Sequence, residues 1–246
     1  MKNKSFSKIF IIALLLLLVL ICIYLFLHSS FFNVTTIQVT NNHIVTRNEI
    51  LAMAGISPGT NLFKIDQELT RRSVKLHPMV KEAQIIRHLP AGIEIKITER
   101  KSWAILPYNE IFLLIDDEGV CIDKLNRLPD QYVPIITMDK ADQRINLGQA
   151  VNPAAIKMIR TIWQALNKDD RQNISQFHYI NQNKELLIYT LHGTEIRFGN
   201  LDRLDEKVTH FSKVLEIEAD LEKEGKEVLD YVDLRFKGQP VVKTRT

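Results

Sequence analysis

Residues 9–27 read IFIIALLLLLVLICIYLFL and contain no charged residue, no Gly and no Pro. At about 1.5 Å per helical residue this stretch is roughly 28 Å long, close to the thickness of a bilayer's hydrocarbon core. A helix on the surface of a soluble core keeps a polar face, whereas this stretch is apolar on every face. We therefore predict a membrane-spanning helix over residues 9–27, with anchoring positions that include Ile9, Leu14, Leu18, Cys22 and Leu27.

The charges that flank this stretch predict its orientation. Three basic residues and no acidic residue precede it, namely Lys2, Lys4 and Lys8. Because positive flanks stay on the cytoplasmic side, residues 1–8 are predicted to be a cytoplasmic tail, with everything after the span outside. A cleaved signal peptide is the alternative, but it predicts a shorter apolar core and a small-residue cleavage site. Residues 28–32, HSSFF, match such a site poorly, so an uncleaved type II anchor is favoured.

The composition of the chain after the predicted span argues against a nucleic-acid partner and against a structural disulfide. The chain has 32 basic and 29 acidic residues, and three of its lysines precede the span. The exterior therefore carries equal numbers of both charges, which argues against a nucleic-acid partner. Cys22 lies in the predicted span and Cys121 in a predicted strand, so we expect no structural disulfide.

The first exterior segment has the pattern of a small α+β domain. Residues 34–39 alternate apolar and polar side chains and favour a strand. Thr46 and Glu49 form a capping box that starts a short helix, and Asp66 is placed to cap a second one. Residues 80–87 and 93–97 then predict two antiparallel strands joined by a turn. The predicted order is β-α-α-β-β.

The remainder, residues 101–246, predicts a second, mixed α/β domain with an antiparallel sheet. Asn152-Pro153 is typical of a helix start, and the residues Leu201, Leu204, Val208, Phe211 and Leu215 form a single apolar stripe on a later helix. That helix either packs on its own sheet, which we favour, or pairs with a partner as a coiled coil. Strands are predicted near 103–106, 111–115, 120–122, 177–180, 186–191, 195–198 and 231–236, the last broken by Gly238-Gln239-Pro240.

The sequence offers little evidence for catalysis or metal binding. Its seven histidines are scattered, and none pairs with another at a spacing suited to a metal. Asp116-Asp117-Glu118 is compatible with a cation site, but acids beside Gly119 between two strands favour a turn. Cys121 alternates with apolar residues and is predicted to be a core thiol rather than a nucleophile. We therefore predict no enzyme, no cofactor, no metal and no small-molecule substrate.

Several short sequence motifs along the chain, taken together, resemble those of one protein family. In the first exterior domain they are FNVTTIQV at 32–39, GTNLF at 59–63, HPMVK at 77–81, RHLP at 87–90 and IKITERK at 95–101. In the second they are LID at 114–116, GV at 119–120, FG at 198–199, EK at 206–207 and YVDLRF at 231–236. In this order, after a single N-terminal anchor, they resemble the bacterial cell-division family FtsQ/DivIB, which carries a POTRA domain. Asn41-Asn42 and Met79 depart from the family's usual Gly and aromatic residue without threatening the fold.

This resemblance implies a domain order and a role. Residues 32–100 would be the POTRA domain and residues 101–246 the FtsQ/DivIB-type C-terminal domain, ending in an edge strand. The protein would be a scaffold of the divisome, concentrated at the division septum of the cell (inner) membrane. Its partners would be the lipid bilayer and the bitopic FtsB/DivIC-type and FtsL-type division proteins. Through them it would couple ring assembly to septal wall synthesis.

The resemblance also implies where such a partner would bind. In the family a partner strand joins the final strand of the second domain. An unpaired edge offers a row of N–H and C=O groups, so this role is also physically sound. Arg235 is a candidate clamp for a partner carboxylate, and Phe236 a candidate apolar anchor. By position the residues implied are Tyr231, Val232, Leu234, Arg235, Phe236, Val241 and Val242.

Two other functions remain open at this point. A POTRA-containing chaperone of protein export is one, although the residues after Arg100 are too few, and too helical, for the β-barrel that usually follows. A membrane-tethered wall enzyme is the other, and it requires a catalytic constellation that the sequence does not display.

Overall fold

A computed structural model describes residues 3–129, 133–140, 144–225 and 229–244, with side chains from residue 8 onward. The chain divides into two compact units, Met1–Arg100 and Lys101–Thr246. Each unit is described separately below.

The apolar stretch is part of one long helix, α1, at Asn3–Leu27. Among the described helices it is the one long and apolar enough to cross a membrane, over Lys8–Leu27. The side chains of Ile9, Leu14, Leu18 and Cys22 are exposed, as expected of a helix whose solvent is lipid. Lys2, one of the three orienting lysines, lies outside the described residues.

After α1 the first unit has the predicted β-α-α-β-β order. Its elements are β1 (Thr36–Thr40), α2 (Arg47–Ala54), α3 (Gln67–Val74), β2 (Val80–His88) and β3 (Gly92–Glu99). The strands form a sheet in the order β1-β3-β2, in which β1 runs parallel and β2 antiparallel to β3. Its core holds buried residues from α2, α3, β2 and β3, including Ile50, Val74, Ala83 and Ile95, and Ile37 and Val39 of β1 pack against it.

Local signals in the sequence set the ends of both helices. Thr46 accepts a hydrogen bond from the Glu49 amide, while the Glu49 carboxylate accepts one from the Thr46 amide, which is a complete capping box. Gly55 ends α2 with a φ of 64°, a conformation that costs glycine little. Asp66 caps α3 by accepting from the amides of Glu68 and Leu69.

The second unit alternates strands and helices. The first half comprises β4 (Ser102–Tyr108), β5 (Ile111–Asp116), β6 (Cys121–Leu125), β7 (Ile135–Met138) and α4 (Pro153–Ala165). The second half comprises α5 (Lys168–Gln172), β8 (Ile174–Ile180), β9 (Glu185–Thr190), β10 (Glu195–Gly199), α6 (Leu204–Lys223), β11 (Leu229–Asp233) and β12 (Val241–Thr244).

These strands form one sheet, in the order β12-β11-β10-β9-β8-β7-β4-β5-β6 across the described residues. The predicted hairpins β4-β5 and β8-β9-β10 are antiparallel, and the mixed α+β class is confirmed. Three pairings are parallel, however: β4 with β7, β7 with β8 and β10 with β11. The short strand β7 joins the two antiparallel halves and was not predicted, because its partners are distant in sequence.

The helices of this unit cover its core. Asn152 accepts a hydrogen bond from the Ala155 amide and Pro153 opens α4, as predicted. On α6, Phe211 and Val214 lie in the core of the same unit, which settles the choice between packing and a coiled coil. Leu201, predicted on the stripe, precedes the helix.

The acidic cluster is a turn. The Oδ1 atom of Asp116 accepts from the amides of Glu118 and Val120 at 2.9 and 2.8 Å, between β5 and β6. Cys121 is fully buried beside this turn, and burial raises the pKa of its thiol. Both observations agree with structural roles for these residues.

Glu99 at the end of β3 holds the loop that precedes α2. Its carboxylate accepts from the amides of His43, Ile44 and Val45 at 2.8 to 3.1 Å. Partial burial acts to raise its pKa, but the hydrogen bonds from the Val45, Ile44 and His43 amides outweigh it, so the pKa of Glu99 is lowered.

We predict that Glu99→Gln lowers the free energy of unfolding by about 1–2 kcal/mol at neutral pH, because one oxygen acceptor becomes a donor facing amides. The contribution of a carboxylate with a lowered pKa is present above its unfolded value and is lost as pH falls through its folded value. The difference between the variant and the parent should therefore shrink in acid. Urea unfolding of the full chain in detergent, with amide exchange at residues 43–45, measures this.

Glu68→Gln is the matched control, since Glu68 pairs only with the arginines of its own exposed helix turn among its recorded contacts. Its effect should be smaller than that of Glu99→Gln. Equal effects of the two substitutions would contradict the role given to Glu99.

Candidate functional site: the free edge of the nine-stranded sheet

The strand β12 forms one edge of the large sheet. It pairs antiparallel with β11 through Val241, Val242, Lys243 and Thr244, and all four residues are exposed. Within the described ranges no strand lies against its outer side. Half of its backbone N–H and C=O groups therefore point away from β11 toward a position that a further strand would fill.

The other edge of the sheet is covered where β6 begins. The strand β6 begins at Cys121, whose amide donates to the carbonyl of Gln149 at 2.9 Å. The amide of Gly148 donates back to the Cys121 carbonyl at 2.8 Å, and Val120 forms a bridge with Ala150. Protein edges are commonly blocked in this way, so the difference between the two edges points to β12.

This arrangement corrects the expectation that Tyr231–Phe236 is the final, edge strand. The strand β11 ends at Asp233 and lies between β10 and β12, paired on both sides. Gly238, with a φ of 97°, and Pro240 were expected to break the strand, and they lie in a connection that returns the chain alongside β11. Of the seven implied residues, Val241 and Val242 lie on the free edge.

The other site residues implied by the family resemblance differ in how far they are buried. Val232 and Leu234 are 0% and 2% exposed, so their side chains belong to the core and cannot touch a partner. Phe236 is 61% exposed and follows β11 in the connection to β12. Phe236 is therefore available for contact, as predicted, while Val232 and Leu234 support the edge from within.

A row of apolar side chains leads from the core to the edge. Ile188, Ile196, Val232 and Val242 stand opposite one another on β9, β10, β11 and β12. The first three are fully buried, whereas Val242 is 51% exposed. Directly opposed residues share a face of the sheet, so Val242 extends the buried row to the open edge.

A second row, on the opposite face, is polar and aromatic. It contains Tyr189, Glu195, Tyr231 and Lys243 in matching register. The hydroxyl of Tyr189 donates to Glu195 at 3.0 Å, and burial together with this bond raises the pKa of Tyr189 to about 12. Lys243 pairs with Asp230 at 2.9 Å, which fixes a positive charge on the outer face of the edge.

The ring of Tyr231 lies between two cations. The guanidinium carbon of Arg197 is 3.9 Å from the ring centroid, and the Lys243 ammonium is 5.8 Å from it. Arg197 is held in turn by Glu195, with Nε 2.8 Å from the carboxylate. Cation–π contacts of this kind tie β10, β11 and β12 together on the outer face.

Arg235 does not present a free clamp. Its guanidinium donates through Nε and Nη2 to Asp233, at 3.0 and 2.7 Å, and Nη1 lies 3.4 Å from Glu185. Its stem passes over Gly199, where an added Cβ would lie 2.8 Å from the Arg235 Cγ. The bidentate fork expected to hold a partner carboxylate is thus already used inside the unit.

Arg203 holds the connection that positions β12. Its guanidinium donates to the carbonyls of Arg235 and Phe236 at 2.8 and 2.9 Å, and to that of Leu234 at 3.4 Å. The carboxylate of Glu206, 3.2 Å from the Arg203 Nη1, also accepts from the Gly238 amide. One side chain thereby satisfies three successive carbonyls in a connection that lies outside the assigned strands.

Lys207 fixes the segment from which Arg203 extends. Its side chain is 1% exposed, and its ammonium donates to Asn200 and to the carboxylate of Asp202. Neither Arg203 nor Lys207 was predicted as a site residue. The sequence did contain one signal. Lys207 lies among the apolar positions at the start of the helix, and a lysine is rarely buried without such partners.

Two family profiles match the chain. One describes a POTRA domain, FtsQ-type, and matches residues 32–100. The other describes the C-terminal part of the cell division protein FtsQ/DivIB and matches residues 104–235. The second match ends just before Phe236 and the edge strand.

The chain is also similar in sequence to individual cell-division proteins. The cell division protein FtsQ of Anaeromyxobacter sp. (strain K) is 29% identical over 206 residues, 79% of this chain and 68% of its own length. The cell division protein DivIB of Clostridium tetani is 26% identical over 219 residues, 86% of this chain and 79% of its own. A solved extracytoplasmic domain of DivIB from Geobacillus stearothermophilus has a TM-score of 0.34 at 16% identity, covering 51% of this chain and 97% of that domain.

We predict that Arg203→Ala loosens the connection and the edge strand together. The variant loses charge-assisted bonds to three carbonyls, and we expect a loss of about 1–3 kcal/mol in the free energy of unfolding. Amide exchange at residues 234–244 should accelerate most. Arg160→Ala is the control, since Arg160 also contacts a carbonyl, that of Asp117, but far along the sheet from β12. Unchanged exchange at Val241–Thr244 in the Arg203 variant would refute this role.

A second prediction concerns the pH dependence of the Asp233–Arg235 pair. The hydrogen bond from Arg235 lowers the pKa of Asp233, whose side chain is 6% exposed. Its stabilising contribution is therefore complete above its unfolded pKa near 4 and is lost as pH falls through the folded value. Arg235→Met should raise the Asp233 pKa, as measured by NMR titration of its carboxyl carbon, and should destabilise the domain more at neutral pH than in acid. Arg235→Lys should raise this pKa by a smaller amount.

Proposed function

The chain belongs to the FtsQ/DivIB family of cell-division proteins, and from this premise we propose that it is a non-enzymatic scaffold of the divisome. In this proposal β12 receives a strand from a bitopic partner of the FtsB/DivIC type, within a complex that also contains an FtsL-type protein. The complex links assembly of the division ring to synthesis of the septal wall.

The observation that carries the proposal is the contrast between the two edges of one sheet. At the other edge, residues 148–151 pair with the start of β6 at Val120 and Cys121, while β12 is exposed along its whole length. An exposed edge usually carries a device that prevents pairing, because it otherwise recruits other chains. Here the edge strand has only four residues, and Arg203 holds the connection that precedes it. This arrangement suits the selective addition of one strand rather than open-ended growth.

The side chains on β12 indicate the chemistry of the partner strand. Val242 continues the apolar row of the core, so we expect an apolar residue opposite it in the partner. Lys243 and Val241 lie on the other face, where an acidic or polar residue would meet the Lys243 ammonium. Main-chain bonds would supply affinity and this alternation would supply register.

The implied site residues divide into contacts and supports. We propose that Phe236, Val241 and Val242 contact the partner, with Phe236 as an apolar anchor at one end of β12. Arg235 and Tyr231 would shape the edge through Asp233 and Lys243, and Val232 and Leu234 would do so from the core. This assignment revises the clamp that the sequence alone suggested for Arg235.

We further propose a type II arrangement in the cell membrane, with residues 1–8 in the cytoplasm, residues 9–27 spanning the bilayer and residues 32–100 and 101–246 outside. The charge difference across the apolar stretch supports this orientation. Concentration at the septum follows from the division role, and a fluorescent fusion should form a midcell band. The family match favours this role over the export chaperone and the membrane-tethered wall enzyme.

We predict that Phe236→Glu abolishes capture of the partner while leaving the fold intact. Phe236 is 61% exposed, so a carboxylate there is solvated in the free protein but is buried without a counter-charge when a partner docks. Affinity should fall by at least about tenfold, which corresponds to 1.4 kcal/mol. Co-purification of the full chain with the DivIC-type protein of the same cell, with thermal unfolding, measures both properties.

Leu191→Glu is the matched control, since Leu191 is 57% exposed and follows β9 at the opposite end of these strands. It should bind the partner normally. Normal binding by Phe236→Glu with normal unfolding would show that Phe236 is not part of the interface. A partner that protects no β12 amide from exchange would show that it binds elsewhere.

A further inference from the structure

Within the first unit, four phenylalanines form a continuous chain of ring contacts that leads from the end of α1 to the domain that follows it. The Phe26 ring lies 6.0 Å from Phe31 and 5.2 Å from Phe32, and the Phe31 and Phe32 rings are 5.0 Å apart. Phe32 also meets Phe63 edge to face at 5.0 Å. These spacings are those of favourable aromatic pairs.

Only one of these rings is used to build the core. Phe32 is 7% exposed and belongs to the core of the first unit. Phe26, Phe31 and Phe63 are 57%, 58% and 37% exposed. A cluster of three exposed aromatic rings is an apolar patch that requires a covering partner.

The helix is joined to the unit without a flexible break. Helix-type hydrogen bonds continue past Leu27, from the His28 amide to Tyr24 and from the Ser29 amide to Phe26. The chain then enters a 3₁₀ turn at Ser30–Phe32. Leu27 itself packs against the core of the unit, so the last turn of the helix is already part of the folded domain.

Asn61 reinforces this junction from the domain side. Its side-chain amide donates to the carbonyls of Leu27 and Ser29 at 3.0 and 3.2 Å, while its Oδ1 accepts from the Phe63 amide at 2.9 Å. The side chain is 6% exposed. Carbonyls at a helix C-terminus lack partners within the helix, and here a buried residue of the domain supplies one.

We infer that Phe31 and Phe63, with Phe26, form an aromatic collar that seats the first unit on the lipid interface of the membrane spanned by α1. This inference rests on the proposed membrane anchoring. The occupant follows from continuity, since Phe26 is one residue from the end of the span and its ring lies 6.0 Å from that of Phe31. The Phe63 ring is linked to the Phe26 ring through Phe32, by centroid distances of 5.2 and 5.0 Å, so it lies close to the end of the span.

The consequence is a fixed pose. A domain joined to its span by a flexible linker would sample many orientations, whereas here the collar and Asn61 restrict the domain to one. Because the collar is aromatic, its contact needs no anionic lipid, although the exposed Lys64 next to Phe63 is placed to reach a phosphate.

The test uses tryptophan substitutions in the full chain, reconstituted in phosphatidylcholine vesicles whose acyl chains are brominated near the headgroup. Bromine quenches tryptophan emission on contact, and the emission of the native Trp103 and Trp163 is common to all variants and is subtracted. Phe31→Trp and Phe63→Trp probe the collar. Ile44→Trp is the matched control, because Ile44 is 66% exposed and lies beyond the far end of β1, beside Glu99.

We expect quenching of the residue 31 and 63 probes to about half or more of the extent seen for a Leu18→Trp probe with mid-chain bromines, and little at residue 44. Quenching at residues 31 and 63 no greater than at residue 44 would overturn the collar. A Leu18→Trp probe that is not quenched would instead show that α1 is outside the bilayer, which refutes the anchoring itself.

A second variant tests the coupling. Asn61→Asp keeps the acceptor for the Phe63 amide but loses both donors to Leu27 and Ser29. In combination with Phe63→Trp it should reduce quenching at least twofold while the domain retains its far-ultraviolet circular dichroism. Full quenching in this variant would show that the collar alone, without Asn61, holds the domain on the membrane.

Discussion

The guanidinium of Arg203 is the interaction on which the free edge depends. The residues between Asp233 and Val241 form no strand, so their carbonyls would lack partners within a sheet. By donating to Leu234, Arg235 and Phe236, Arg203 gives this connection a defined path. Lys207 fixes Arg203's own segment through Asn200 and Asp202, and it does so from a fully buried position. The edge is therefore preorganised by charges placed behind it, in addition to the contacts that Lys243 of β12 makes with Asp230 and Tyr231.

Such support has a physical reason. A four-residue strand with both valines half exposed gains little from its own burial, and strands this short are weakly held at an edge. If β12 had to order at the moment of binding, the partner would have to offset that loss of entropy. Ordering it beforehand leaves the main-chain bonds of a partner strand available for affinity.

Much of the fold could be predicted because its signals are local. The capping box at Thr46, the Asn152-Pro153 helix start and the alternating strands each lie within a few residues of one another in the sequence. The strand β7 and the edge strand β12 could not be predicted. The parallel partners of β7 are far away in the sequence, and the position of β12 depends on Arg203, some thirty residues before the connection that it holds. For the same reason Arg235 was misjudged as a free clamp. Its neighbour Asp233 was visible in the sequence, but Glu185, fifty residues before it, was not.

The two units make different demands on a membrane setting. A collar of three exposed rings is stable only where lipid covers it, while an exposed four-residue edge offers few main-chain bonds and hence a modest intrinsic affinity. Confinement to one membrane compensates for the second weakness, since partners tethered to the same surface meet at effective concentrations up to millimolar. The junction at Asn61 acts on the first unit alone: under the proposed anchoring it limits the orientations of residues 32–100 at the membrane, where the collar meets lipid.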